Sequence, residues 1–183
     1  MNESLAVIVD KLVERFSGQK IEFAGETSVI LPVDKIVAAA KAIHDEFGFD
    51  MLAAITAVDY WPAENPRFHL FYRFNSLPNR MALNVRVPIP GLEPAAPTIE
   101  GIYKNANWRE REVYDMFGIK FTGHSDLRRI LMPQDWEGHP LRKDYPLGYE
   151  EPQYSFNFDE IDARKPHAGE KPPAGGEHNH AAD

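Results

Sequence analysis

Hydrophobic periodicity runs through this chain as far as Gly118 and then stops. Before that point, apolar residues recur at spacings that one face of a helix or strand can bury. Beyond it, a stretch dense in Arg, Asp, Glu, His, Trp and Pro keeps no period. A core is assembled from elements that have an apolar side, so the sheet and its helices must come from the residues before Gly118. The segment from Trp108 to Leu147 crosses that boundary. Charged and aromatic side chains concentrated in irregular backbone face either a ligand or another protein, because a free surface loop needs no such set.

The periodic part resolves into elements. Leu5, Ile8, Val9, Leu12, Val13 and Phe16 share one helical face, and Gly18 is the expected stop. Short strands are expected over residues 21–24 and 28–31, around Gly25 and Glu26. A second helix follows, with Asp34 as N-cap, an apolar stripe of Ile36, Val37, Ala40, Ile43, His44 and Phe47, and Gly48 at its end. His44 on that stripe reads as a core or boundary histidine rather than a ligand. Residues 51–60 form a nearly continuous apolar run, the pattern of a strand covered on both faces. Residues 67–74 alternate less cleanly because Phe71 breaks the pattern, whereas Met81, Leu83, Val85 and Val87 alternate with Ala82, Asn84 and Arg86. Turns carrying proline and asparagine between these runs suggest antiparallel neighbours.

The fold class expected is therefore α+β, a mostly antiparallel sheet with helices packed on one face, followed by an extended C-terminal segment. Residues 88–97 read as a stiff connector, and a helical stretch is expected over 98–104. Asn107 is the expected cap of a further helix, in a box-like pair with Glu110, with Val113, Met116 and Phe117 facing inward before Gly118. Three regions result: an N-terminal α+β domain over 1–104, a short helix and extended chain over 105–150, and an acidic, extended or disordered tail over 151–183.

Composition narrows the function. The chain has 183 residues, enough for one domain with a core of its own, and no cysteine. Disulfides, thiolate metal sites and cysteine-ligated iron–sulfur clusters are thereby excluded from it. A formal charge of −8 argues against a nucleic-acid partner. No apolar run approaches the roughly 20 residues of a membrane span, and the N-terminus resembles neither a signal nor a transit peptide. From Lys104 to Asp144 eight basic residues stand against seven acidic, while from Glu150 onward three stand against eight. Interleaved charge of this kind suits salt-bridged contact with a partner better than long-range steering.

Three constellations in the aperiodic segment invite a chemical reading. His124, Asp126, Asp135, His139 and Asp144 have the donors of a metal site or a general base, and a metal-dependent hydrolase using His124, Asp126 and His139 is the enzymatic alternative. Their spacing fits no known ligand array. Arg109, Arg111, Arg128, Arg129, Arg142 and Lys143 have the charge to grip an anion, but carboxylates lie among them in nearly equal number, so ion pairing is favoured. No serine or thiol nucleophile arrangement is legible. Trp108, Trp136, Tyr114, Tyr145 and Phe117 are candidate anchors, and Trp136, between Asp135 and Glu137, is the preferred one for a partner.

The run Glu110-Arg111-Glu112 to Tyr114-Asp115-Met116-Phe117-Gly118, then Phe121, Gly123-His124 and Asp126-Leu127-Arg128-Arg129-Ile130-Leu131, closes with Asp135-Trp136-Glu137-Gly138-His139-Pro140-Leu141-Arg142-Lys143-Asp144-Tyr145-Pro146. It resembles the signature block of the 30 kDa-type subunit family of NADH–quinone oxidoreductase, respiratory complex I or NDH-1. Asp59 is the most typical residue of the N-terminal part. The resemblance implies a non-catalytic peripheral-arm subunit without a cofactor of its own, FMN and iron–sulfur clusters being held by partner subunits. It implies that the C-terminal segment packs against the large quinone-site subunit, with the small subunit of the terminal iron–sulfur cluster nearby. It also implies a place on the cytoplasmic face of a bacterial cell membrane. Ferredoxin–plastoquinone reductases, reduced-deazaflavin dehydrogenases and membrane-bound hydrogenases share the subunit type. The residues expected at a partner interface are Arg109, Glu110, Arg111, Glu112, His124, Asp126, Arg128, Arg129, Trp136, His139, Arg142, Lys143 and Asp144.

Overall fold

A computed structural model of the protein describes residues 3–23 and 25–145. The expectations for residues 151–183, and for Pro146 and Leu147, lie outside them. Helix α1 (Glu3–Phe16) buries Val9, Leu12 and Phe16. Gly18 is not the residue that turns the chain at its end. Ser17 takes the left-handed conformation (φ 54°), while Gly18 lies so close to the neighbouring strand that a Cβ there would sit 2.8 Å from Leu31 Cδ2 and 2.9 Å from the Ile30 carbonyl. Close approach, not φ, requires this glycine.

Strands β1 (Gln19–Phe23) and β2 (Glu26–Ile30) form an antiparallel hairpin. A 3₁₀ turn, Val33–Lys35, then runs into α2 (Ile36–Asp45). Asp34 lies inside that turn, paired with Lys35 at 3.0 Å, and so does not cap the helix. His44 sits at the core boundary, bonded to Asp45 at 2.7 Å and edge-on to the Tyr103 ring.

Strands β3 (Met51–Asp59), β4 (Phe68–Ser76) and β5 (Met81–Ile89) complete a five-stranded sheet of order β1-β2-β5-β4-β3. Only β2 and β5 run parallel; the other pairs are antiparallel. Strand β3 is at the edge, with Val58 43% exposed, and is not covered on both faces. An apolar run does not reveal whether a second layer lies on the other face, and here the outward Thr56 and Val58 are left exposed among the described residues. Strand β4 alternates strictly, and Phe71 simply occupies the outer face beneath the Arg86 guanidinium. On the inner face Leu70, Tyr72, Phe74, Leu83, Val85 and Val87 are fully buried against the helices. Each such side chain contributes about 1.5–3 kcal/mol relative to exposure.

The connector ends in a strand, β6 (Ala95–Pro97), which pairs in parallel with β7 (Lys120–Thr122), so regular structure extends past Gly118. Residues 98–104 are not helical. Ile102 and Tyr103 both donate to the Ile99 carbonyl in a single tight turn, because the buried Glu110 carboxylate holds the Thr98 hydroxyl and the Ile99 N–H. Helix α3 (Ala106–Phe117) follows. Asn107 does not cap it but bonds Glu100 and Ser125, and Asn105 before it reaches the Leu52 carbonyl instead. No helix among the described residues is long and apolar enough to cross a membrane.

Candidate partner-docking face

Helix α3 carries three buried charged residues: Glu110 on the side of Val113 and Phe117, and Arg111 and Asp115 on the side that the following segment covers. Burying a charge is costly unless it is paired and hydrogen-bonded, and each of these is satisfied by chain that follows or precedes the helix. Asp115 makes the densest set. Its Oδ2 accepts the N–H groups of Ile130, Leu131 and Met132 at 2.8–3.0 Å, and its Oδ1 accepts Arg129 at 2.7 Å. Burial raises the pKa of this carboxyl, but those donors outweigh burial and hold it below the usual carboxylate range. Arg129 continues the chain of contacts, donating to the carbonyls of Trp136 (2.7 Å) and Gly138 (2.9 Å). Arg111 donates to the carbonyls of Arg128 and Arg129 and lies over the Trp108 ring.

The C-terminus of α3 is closed by the same segment. The last turn of a helix leaves carbonyls without intrahelical partners. Here Gly118 N–H takes Tyr114 O, His139 Nδ1 takes Asp115 O, Leu141 N–H takes Met116 O, and Arg142 Nε takes Phe117 O at 2.6 Å. Gly118, at φ 73°, allows this approach. A Cβ there would lie 2.5 Å from Arg142 Nη2 and from the His139 ring.

A second fastening joins the segment to the sheet. Asp59, at the end of β3, accepts Trp61 N–H, Arg67 twice and Lys143 N–H, all within 3.0 Å. Asp144 takes the outer side of the same Arg67 guanidinium at 2.6 and 3.0 Å. Burial works against the Asp59 carboxylate, yet Arg67 and the two N–H groups bring its pKa down to about 2. Arg67, bonded to Asp59 and Asp144, is held above its ordinary value.

The third fastening is at His124, whose side chain is fully buried. Its Nε2 bonds the Asn107 carbonyl, its Nδ1 accepts Asp126 N–H, and Glu100 and Glu110 lie 3.7 and 3.9 Å from Nε2. Burial raises the Glu110 carboxyl above its usual range, against the Ile99 and Thr98 donors.

The expected interface residues thus divide. Glu110, Arg111, His124, Arg129, His139, Arg142 and Asp144 are engaged with their own chain. Arg109–Glu112 and Asp126–Arg128 are surface ion pairs at 3.6 and 2.9 Å, and Lys143 is exposed apart from its N–H. Trp136 is half-buried, its Nε1 without a partner among the described residues; Trp108, at 60%, is the more exposed indole. Asp115, Arg67 and Glu100 are not among the expected residues, although all three hold the segment down. The signal for Asp115 is its place one helical turn after Arg111, which puts both charges on one face of the helix, away from Val113 and Phe117. His124, Asp126 and His139 do not converge: among the described residues no group of three His, Asp or Glu side chains is placed to hold a metal ion.

The family model described as respiratory-chain NADH dehydrogenase, 30 kDa subunit, matches residues 29–151, a stretch that includes all three fastenings. An NADH-quinone oxidoreductase subunit from Roseiflexus sp. (strain RS-1) is 47% identical over 151 residues, 81% of this chain and 86% of that protein. The corresponding subunit of Geotalea uraniireducens is 45% identical over 142 residues, covering 76% and 86%. Among solved structures, Nqo5 in its trypsin-resistant fragment superposes with a TM-score of 0.60 at 33% identity, over 68% of this chain and 99% of the fragment. A chain of a membrane-bound sulfane sulfur reductase, an archaeal respiratory membrane complex, gives 0.67 at 29% identity, over 79% and 87%.

Proposed function

The chain belongs to the 30 kDa subunit family of respiratory-chain NADH dehydrogenase, and from that premise we propose that it is a non-catalytic architectural subunit in the peripheral arm of a proton-translocating NADH–quinone oxidoreductase. In this reading electrons pass from NADH through FMN and iron–sulfur clusters of other subunits to quinone, and this chain holds no redox group. Its immediate partners are the large quinone-site subunit and the small subunit of the terminal cluster, on the cytoplasmic side of the cell membrane.

The observation that carries the reading is how its polar groups are used. The carboxylates and guanidinium groups that a catalyst would aim into a cleft are here spent on fixing one segment against α3 and β3. What is left on that face is Trp108, Leu131 and Leu141, each more than half exposed and interspersed with surface ion pairs. That composition is typical of a protein interface. The likeness to the sulfane sulfur reductase complex supports a second reading, the same scaffold in a respiratory assembly with another electron acceptor; the higher identity to the NADH–quinone proteins favours the first.

The test is affinity purification of the native chain, identification of the subunits that accompany it, and an absorption spectrum and metal analysis of the chain alone. Co-purification with quinone-site and cluster-bearing subunits is expected, with no stoichiometric metal or flavin in the isolated chain. Turnover of any substrate by the lone chain would overturn the reading.

A further inference from the structure

The outer face of the sheet is a surface that the fastenings do not use. Strand residues alternate between faces, so His69, Phe71 and Asn75 of β4 point away from the buried Leu70, Tyr72 and Phe74, as Arg86 of β5 points away from Val85 and Val87. On this face Phe71 pairs across with Arg86 and Val58 with His69. Three buried polar atoms here have no hydrogen-bond partner among the described residues: His69 Nδ1, Asn75 Oδ1 and Arg86 Nε. Buried polar groups are nearly always satisfied, so two such atoms on the diagonal neighbours His69 and Arg86 call for a physical cause.

The charge is equally unbalanced. Arg67, Arg111, Arg129 and Arg142 each have carboxylate or carbonyl acceptors, and Arg73 on this face has Asn84 and, at 3.7 Å, Glu26. Arg86, half-buried, has none among the described residues. Its guanidinium lies 5.8 Å from the Phe71 ring, and burial together with its charge keeps His69 below the ordinary histidine range and therefore neutral.

We infer that the outer sheet face around Arg86 and His69 is a second docking site, and that it takes a carboxylate-bearing segment of a neighbouring subunit. A carboxylate laid across these diagonal neighbours would accept from Arg86 Nε–H and from the imidazole, while the segment's apolar side chains would cover Phe71 and Val58. This rests on the reading of the chain as a subunit of a larger assembly, and adds to it a face opposite the helices.

The experiment uses the assembled complex purified from cells in which Val58 is replaced by a photo-crosslinking amino acid, since Val58 is 43% exposed and directly opposite His69. Illumination is expected to join it to another subunit at a peptide containing Asp or Glu. Arg86→Gln, in the same background, is expected to lower that crosslink several-fold while Arg86→Lys retains most of it, both isolated chains melting as the parent does. A complex that assembles normally but gives no crosslink, or one only to residues 146–183 of the same chain, overturns the inference alone. Recovery of the chain free of any complex overturns both the inference and the reading beneath it.

Discussion

One carboxylate holds residues 129–132 of the segment after β7 on the domain. Asp115 meets three consecutive backbone N–H groups and a guanidinium, so rotating or neutralising it leaves several donors unpaired at once. Removing one partner of a buried ion pair costs about 3–5 kcal/mol. Because Arg129 keeps the Trp136 and Gly138 carbonyls, Asp115→Ala is expected near the lower end of that range, read as a shift in the urea midpoint of the isolated chain. Asp115→Asn, which keeps an acceptor oxygen but brings an N–H toward donors, should fall between Asp115→Ala and the parent. Gly118→Ala attacks the same contact from the other side. Its left-handed φ and the 2.5 Å approach to His139 and Arg142 leave no room for a methyl group. A cost of about 1–3 kcal/mol follows from the backbone alone, and trypsin should cut faster after Arg142 and Lys143 as the segment lifts.

At the scale of elements, the clasp between β3 and the segment is an acid-sensitive joint. The Asp59 carboxyl titrates at about 2 in the folded chain, below its ordinary 3.8, and Asp144 is lowered too by Arg67. A depressed carboxylate stabilises the folded state fully above its unfolded pKa, and that stability is lost as pH falls through the folded value. The joint should hold above about pH 4 and open between about pH 4 and 2, followed by the fluorescence of Trp61, which lies under Arg67. Glu110 has the opposite sign. Its raised pKa favours the neutral form, so its contribution is present at acid pH and lost as pH rises through the folded value. Glu110→Gln should therefore stabilise the chain at neutral pH and flatten the alkaline side of its stability profile, a comparison that thermal melts across pH resolve.

The elements most legible in the sequence are those whose burial is periodic: α1, α2 and the alternation of β5. The open outer face of β3 is not legible there, because an apolar run suggests cover on both faces but does not show whether a second layer supplies it. The residues after Phe117 read as irregular, yet a short strand and three fastenings order them. Their partners lie far away along the chain, Asp59 and Lys143 being 84 positions apart. Arg111 and Asp115, four apart on a helix, have the spacing of a surface pair. Only the packed structure sends both to the segment instead.

For the whole molecule, these contacts separate folding from assembly. Every fastening described lies within residues 3–145, and the core beneath them is closed by Leu70, Tyr72, Phe74 and Val85. The remainder of the chain carries an acidic excess, three basic residues against eight acidic from Glu150 onward. A chain ending at Tyr145 should consequently melt cooperatively within a few degrees of the full-length protein. If residues 151–183 serve a partner, the same truncation as the sole cellular copy should lower the yield of intact complex while the truncated subunit stays soluble. Trp108→Ala makes the complementary change on the fastened face, removing an exposed indole without touching a hydrogen bond, and should weaken assembly while leaving the melt nearly unchanged. A truncated chain that unfolds would mean that residues beyond Tyr145 belong to the domain. One that folds and still assembles at full yield would confine docking to the faces built from residues 3–145.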